Sequence, residues 1–140
     1  SEMCIRDRYR TFDRAFVHAF VDNNEIHITA PSEYYVWGAG AKANPYFYQI
    51  ELVRQYTFED FAKSVNNQAW LAAYMLKQNG IKPTLADDNE GIGSIISHNA
   101  ISQYWGGTDH VDPIEYYARW GYDMHQLFEL VKYHYDNIPG

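Results

Sequence analysis

The chain has 140 residues, a formal net charge of −7 and an aromatic content of 17%, with thirteen tyrosines and four tryptophans. This length fits one domain with a real hydrophobic core. The negative charge, without a Lys/Arg cluster, argues against binding to a nucleic acid backbone, and no stretch predicts a membrane span or a signal peptide. We therefore predict a soluble globular domain whose aromatic side chains fill a core or line a groove for sugars or peptides.

The first eight residues, Ser-Glu-Met-Cys-Ile-Arg-Asp-Arg, resemble a translated sequencing adapter. The alternative is a natural, weakly structured N-terminus. On the first interpretation residues 1–8 are an artefact, the domain occupies residues 9–140, and the only cysteine, Cys4, is not native. The natural sequence then begins abruptly near Tyr9, so we expect that a preceding segment is missing.

The next segments predict a small β-sheet. Residues 15–21 and 25–30 are rich in β-branched and aromatic residues, and Asp22-Asn23-Asn24 between them favours a hairpin turn because Asn and Asp tolerate positive φ. Residues 31–45 contain glycine and proline and predict an irregular loop. Residues 46–53 predict a third strand, whose apolar residues on both faces indicate a strand covered on each side.

A long helix is predicted after the third strand. Thr57 and Asp60 resemble a capping box at its start, and Gly80 is suited to the position just after its end. Between them, apolar residues recur at helical spacing: Phe58, Phe61, Val65, Ala69, Ala72 and Leu76. The capping box and Gly80 therefore predict the two ends of one amphipathic helix.

The C-terminal half predicts shorter elements. An acidic surface loop precedes residues 95–98, which predict a short apolar strand that ends at His98. A helical turn at residues 99–104 and a compact loop at residues 108–113 follow. Two further helices are predicted at residues 113–120 and 124–135. No repeat or linker divides the chain, so the pattern indicates one α/β domain.

Two of these segments carry residues that can bind a metal. A histidine at a strand end, His98, and a loop carboxylate, Asp112, can bind one ion if the loop folds back. Zinc hydrolases also need a separate carboxylate to take a proton from water, and Glu51 in the third strand is the candidate. However, a strand glutamate is more often an edge or ion-pair residue, and a histidine near an aspartate is often simply hydrogen bonded. Spacing alone does not assign the site.

Several stretches occur together in one order: Ile50-Glu51-Leu52-Val53, residues 61–67, Ser97-His98, the Gly-Thr-Asp-His-Val-Asp-Pro loop at 107–113, and residues 116–121. In these stretches the chain resembles the N-acetylmuramoyl-L-alanine amidase family of autolysins and phage endolysins, which is related to the peptidoglycan recognition proteins. The resemblance extends from about Phe12 to the C-terminus. It implies a mixed central β-sheet flanked by helices, here missing its first strand.

The resemblance also implies roles for individual residues in zinc-dependent hydrolysis of the bond between N-acetylmuramic acid and L-alanine in peptidoglycan. His98 and Asp112 match the second and third zinc ligands, and Glu51 matches the carboxylate that activates the attacking water. His110 matches the group that stabilises the oxyanion, because a donor near developing negative charge lowers the barrier. Trp37 matches a loop beside the substrate groove, where an indole can stack on a sugar; covering the core is an equal alternative.

The family's first zinc ligand is a histidine on a strand before the hairpin, and no histidine precedes His18 in this chain. We attribute this difference to truncation. Because two protein ligands hold zinc poorly, we expect weak zinc binding and slow or absent hydrolysis, and an exposed sheet edge that favours aggregation. His18 and His27, on the hairpin, are interpreted as packing or surface residues. His125 and His134 are assigned no role.

Two other interpretations remain: a module that binds peptidoglycan without cleaving it, and a generic α/β domain with coincidental motifs. The presence of Glu51, His98, His110 and Asp112 together favours the enzyme. That interpretation requires the metal-binding atoms of His98 and Asp112 to lie roughly 3–4 Å apart. It further predicts a monomeric domain of a longer modular protein, acting on the cell wall after secretion or after release of a phage-encoded enzyme.

Overall fold

The computed structural model describes residues 17–31, 41–42 and 46–140. Residues 1–8, Trp37 and most of the predicted loop at 31–45 lie outside the described residues. The strands are β1 (Ala19–Val21), β2 (Ile26–Ile28) and β3 (Ile50–Leu52). The α-helices of the described part are α1 (Phe58–Gln78), α2 (His98–Ala100), α3 (Ile114–Arg119) and α4 (Met124–Asn137).

The three strands form one mixed sheet in the order β2-β1-β3. β1 and β2 are antiparallel, as predicted for a hairpin, and β3 is parallel to β1. The hairpin turn depends on Asp22, whose carboxylate accepts the backbone N–H groups of Asn24 and Glu25 at 2.8 and 2.7 Å. Positive φ is not used there, since among the described residues Glu90 is the only non-glycine residue with positive φ.

The sheet has two different faces because side chains alternate along each strand. Ala19 and Val21 of β1 pack with Leu71 of α1. Phe20 and Glu51, which are partners in the β1–β3 register, therefore lie on the face that points away from α1. Phe20 is buried, whereas Glu51 is exposed. The third strand, predicted at residues 46–53, is confirmed over Ile50–Leu52, but the expectation that it is covered on each side is wrong at Glu51.

Helix α1 begins and ends where the sequence predicts. The Thr57 hydroxyl accepts the backbone N–H of Asp60 at 3.1 Å, which satisfies one of the free donors of the first turn. Gly80, with a φ of +65°, follows the helix as predicted. Phe58 does not belong to the buried face: as the first helical residue it is 66% exposed.

The main core lies between α1 and the C-terminal helices. Phe61 of α1 is 2% exposed, and its ring stacks on Trp120 with 5.4 Å between the ring centroids. Tyr117 is fully buried and its hydroxyl donates to the side-chain oxygen of Gln68. Burial raises the pKa of Tyr117, so its hydroxyl stays protonated as a donor. The described residues contain no helix with the length and apolar character that a membrane span requires.

We expect Phe61→Ala to lower the free energy of unfolding by about 3–5 kcal/mol, because it leaves a cavity among packed aromatic rings. The matched control is Phe58→Ala, three positions earlier on the same helix, with an expected loss of about 1 kcal/mol or less at an exposed site. Urea denaturation of the two variants measures the difference. Equal losses would contradict the packing described for Phe61.

The predicted strand at residues 95–98 is wrong in one respect that matters for the site. Ile95 forms only an isolated parallel bridge with Leu85. Ser97 directs both its backbone N–H and its hydroxyl to the carboxylate of Asp87, and its hydroxyl also caps the next helix. Because these bonds take Ser97 out of a strand ladder, His98 is the first residue of α2 and not the last residue of a strand.

Candidate metal centre

The loop after α2 folds back because two consecutive glycines adopt positive φ. The chain continues from α2 as a π-helical turn over Ile101–Trp105. Gly106 and Gly107 then have φ values of +78° and +80°, a conformation that other residues rarely adopt. The chain direction changes at this point, and residues 108–112 return towards the start of α2.

Two hydrogen bonds hold the returning loop, one to the π-helical turn and one to α2. The Ser102 hydroxyl donates to the carbonyl of His110 at 2.6 Å. The backbone N–H of Asn99 donates to the carbonyl of Asp112 at 3.0 Å. Asn99 lies in the first turn of α2, where backbone N–H groups have no partner within the helix. The loop backbone supplies that partner, and His110 and Asp112 are thereby positioned next to His98.

Three side chains with metal-binding atoms converge at this place: His98, His110 and Asp112. One nitrogen or oxygen atom from each lies within 4.8 Å of the others. Nδ1 of His98 is 3.8 Å from Oδ2 of Asp112, which meets the separation of roughly 3–4 Å that two ligands of one zinc ion require. The ring centroids of His98 and His110 are 4.8 Å apart. The predicted convergence of His98 and Asp112 is therefore observed, with His110 beside them.

The donor set of this group fits a zinc ion. Imidazole nitrogen and carboxylate oxygen are both common zinc ligands, and zinc hydrolases leave one position open for water or substrate. The side chain of His98 is 14% exposed and that of Asp112 is 56% exposed. The group thus has one side anchored in the protein and one side accessible from solvent. The Asp112–Pro113 peptide bond is cis.

The electrostatics of Asp112 also suit a ligand. Its pKa is lowered, chiefly by the adjacent imidazole of His98, while partial burial opposes the shift. A lowered pKa keeps the carboxylate ionised, which is the form that binds a metal. The distance of 3.8 Å between Nδ1 of His98 and Oδ2 of Asp112 is longer than a well-formed hydrogen bond. Both atoms can therefore bind an ion without breaking a hydrogen bond between them.

One residue of the site was not singled out from the sequence. The hydroxyl of Thr108 lies 3.0 Å from Nε2 of His98, on the side of the ring opposite Asp112. The backbone N–H of His110 also points to this hydroxyl, at 3.4 Å. The available signal was the position of Thr108 in the same loop as Asp112, but a threonine in a loop is too common to be identified as part of a site on that ground.

Glu51 is not a member of the three-residue group. Glu51 is itself exposed and lies on the sheet face that points away from α1. Phe47, four residues earlier, packs against Ile101 and meets the ring of Trp105 edge-on at 5.2 Å. The segment that leads into β3 therefore contacts the π-helical turn that follows α2.

All six histidines of the chain lie in the described residues, and two of them, His98 and His110, belong to the group. His18 is buried and its Nδ1 accepts the backbone N–H of Gln49 at 3.0 Å. It is a packing residue, as predicted. The other three contact polar side chains elsewhere: His27 near Asp22 and Glu25, His125 on Asp88, and His134 on Asn66.

Comparison with known proteins gives the same family as the sequence motifs. The profile of the N-acetylmuramoyl-L-alanine amidase family matches residues 2–115. Protein Ami of Listeria monocytogenes is 45% identical over 124 residues, and a bifunctional autolysin of Staphylococcus aureus is 44% identical over 124 residues. Each match covers 89% of this chain but only 13% and 10%, respectively, of those much longer relatives.

A solved structure supports the fold. The crystal structure of Staphylococcus aureus hydrolase AmiA in complex with its ligand matches with a TM-score of 0.88 and 41% sequence identity. The match covers 95% of this chain and 63% of that chain. The predicted α/β fold with a mixed sheet is confirmed by this likeness and by the observed strand order. By sequence and by fold, the chain belongs to the N-acetylmuramoyl-L-alanine amidase family.

Proposed function

We propose that this chain is a zinc-dependent amidase that hydrolyses the bond between N-acetylmuramic acid and L-alanine in peptidoglycan. The observation that carries the proposal is the convergence of His98 and Asp112, with Nδ1 and Oδ2 separated by 3.8 Å. Family membership supports the reaction class. The similarity to a protein named an autolysin supports the cell wall as the place of action, reached by secretion or by release of a phage-encoded enzyme.

In this proposal His98 and Asp112 hold the ion. A zinc ion, when bound, supplies Lewis acidity to the amide carbonyl and to water. The lowered pKa of Asp112 keeps one negative ligand in place near neutral pH. Because both ligands are anchored to the start of one short helix, the first through α2 itself and the second through the Asn99–Asp112 backbone bond, their relative position is set by the fold.

The remaining chemistry is assigned to Glu51, His110 and Trp37. Glu51 accepts a proton from the attacking water and passes it to the amine of the leaving L-alanine, the usual role of a carboxylate in amide hydrolysis. Its exposed position in β3 makes it accessible to a substrate. His110, beside the two ligands, donates to the oxygen that becomes negatively charged. Trp37, in the loop that the sequence predicts at residues 31–45, is proposed to stack on a sugar ring.

The products of peptidoglycan digestion test the proposal. The purified chain, supplied with zinc, is incubated with soluble muramoyl-peptides, and the products are analysed by mass spectrometry. We expect peptides with a free L-alanine amine and intact lactyl-bearing sugars, and loss of both products when a chelator is added. New reducing ends, or cleavage within the peptide, would assign the chain to a different hydrolase class.

We expect the zinc affinity of the 140-residue chain to be weak and its turnover slow, because His98 and Asp112 are only two ligands and a third is needed to fix the geometry. Competition with a chromophoric chelator measures the affinity, and long incubations with product detection measure the rate. Nanomolar zinc affinity together with rapid turnover would contradict this expectation and would indicate that another group, His110 first, completes the site.

A substitution at His110 can distinguish an oxyanion donor from a zinc ligand. We expect His110→Ala to leave the zinc affinity unchanged and to lower kcat by about 10²–10³-fold, as for the loss of one oxyanion donor. The measurements are a zinc competition titration and initial rates on the same preparation. If His110→Ala instead weakens zinc binding as strongly as His98→Ala, His110 is a third ligand and not the oxyanion donor.

The distribution of histidines favours a second candidate, a module that binds peptidoglycan without cleaving it. All six histidines are placed by the structure, and none besides His98 and His110 approaches the group. A site in which only His98 and Asp112 act as ligands would still offer a surface for a muropeptide. Sedimentation with insoluble peptidoglycan, unaffected by a chelator and without release of peptides, would favour this candidate.

For either function, we propose that the chain is one domain of a longer modular protein. The match covers 13% and 10% of the two relatives, so these relatives are about eight to ten times the length of the matched region.

A further inference from the structure

The two ring nitrogens of His98 face different groups. Nδ1 points to Asp112, with 3.8 Å to Oδ2, and Nε2 points to Thr108, with 3.0 Å to Oγ1. A neutral imidazole carries one ring proton, so only one of its nitrogens has a lone pair for a metal. Which nitrogen binds is decided by the hydrogen bond that the other nitrogen makes.

The geometry favours the proton on Nε2. At 3.0 Å, the contact between Nε2 and Thr108 is a well-formed hydrogen bond, whereas 3.8 Å between Nδ1 and Asp112 is too long for one. A proton on Nδ1 would therefore lack a close acceptor on a ring whose side chain is only 14% exposed. With the proton on Nε2, the ring donates to Thr108, and the lone pair of Nδ1 faces the Asp112 carboxylate with room for a cation between them.

The loop geometry supports Thr108 as the acceptor. A threonine hydroxyl has two lone pairs, so it can accept from the His98 ring and from a second donor. The backbone N–H of His110 lies on the same oxygen at 3.4 Å. Both donors belong to residues of the metal group, and Thr108 is half-buried between them.

We propose that Thr108 is a positioning residue, which accepts the Nε2–H of His98 and so presents Nδ1 to the metal beside Asp112. This inference rests on the proposed function, because it requires zinc at His98. Partners of this kind fix the tautomer and the orientation of a ligand histidine. Thr108 itself does not touch the metal or the substrate.

Two variants of the full chain test the assignment. Thr108→Val keeps the shape of the side chain and removes the acceptor, and we expect it to raise the Kd for zinc about 10–100-fold. Thr108→Ser keeps the hydroxyl and is expected to restore the affinity. Thr84→Val is the matched control: its hydroxyl bonds Ser94, away from the group, and its zinc affinity should equal that of the wild type.

A spectroscopic measurement separates positioning from a general loosening of the loop. In zinc-loaded wild-type protein, long-range ¹H–¹⁵N correlation spectra of His98 should show protonated Nε2 and metal-bound Nδ1. In Thr108→Val this signature should be lost or mixed. Thr108→Val with wild-type zinc affinity and an unchanged tautomer would overturn the role of Thr108 alone. Absence of any zinc binding by the wild-type chain would overturn the proposed function with it.

Discussion

Replacing either His98 or Asp112 by alanine is expected to raise the Kd for zinc by more than about 100-fold, because loss of an outer partner of a ligand already costs about 10–100-fold. Each variant removes one of the two predicted protein ligands, and a single remaining ligand cannot define a tetrahedral site. The affinity is measured by competition with a chromophoric chelator at constant pH, since both ligands must be deprotonated to bind.

The matched control for this experiment is His125→Ala. His125 lies on α4 and its Nε2 is 2.8 Å from Asp88, in an exposed pair separate from the metal group. We expect this variant to bind zinc like the wild type. If His98→Ala retains wild-type affinity while His125→Ala loses it, the ion binds elsewhere and the assignment of the centre is wrong.

Replacing Glu51 by glutamine is expected to lower turnover by about 10²–10⁴-fold, the contribution typical of one general base. The amide has nearly the shape of the carboxylate but cannot accept the proton of the attacking water. Zinc affinity should be unchanged, because Glu51 is not a member of the ligand group. The rate is followed as the appearance of free L-alanine amines from muramoyl-peptides over long incubations.

Glu59→Gln provides the control for Glu51→Gln. Glu59 is an exposed residue in the first turn of α1 and forms a surface ion pair with Lys63 at 3.2 Å. Surface pairs of this kind contribute little to stability, so the variant should keep its fold and its rate. A wild-type rate for Glu51→Gln would mean that Glu51 is an ordinary strand residue and that another group takes the proton.

The local signals in the sequence predicted the elements that depend on near neighbours. The start of α1 at Thr57 and its end before Gly80 follow from bonds and dihedral preferences within a few residues. The hairpin and the two C-terminal helices were predicted for the same reason. The short segment that ends at His98 was predicted as a strand, because its β-branched residues satisfy the pattern of a strand equally well.

The error at His98 has a tertiary cause. Ser97 bonds a carboxylate ten residues earlier, Asp87, and caps α2 with the same hydroxyl. No pattern of neighbouring residues reports a contact of that kind. The identities of His98, Asp112, His110 and Glu51 as site candidates came from the order of motifs along the chain. Their ligand and catalytic roles stay predictions that the variants above test.

The sequence by itself determined the family, the class of fold and the residue types available for chemistry, because motif order and local periodicity are properties of the chain alone. The tertiary structure decided which of those residues meet. Gly106 and Gly107 turn the loop back, and two hydrogen bonds hold it on α2 and the following π-helical turn. An imidazole and a carboxylate fourteen positions apart in sequence therefore lie 3.8 Å from each other. The contact of the His98 ring with Thr108 also depends on this reversal of the chain direction. A hydrogen bond across a folded loop cannot be predicted from the periodicity of the sequence.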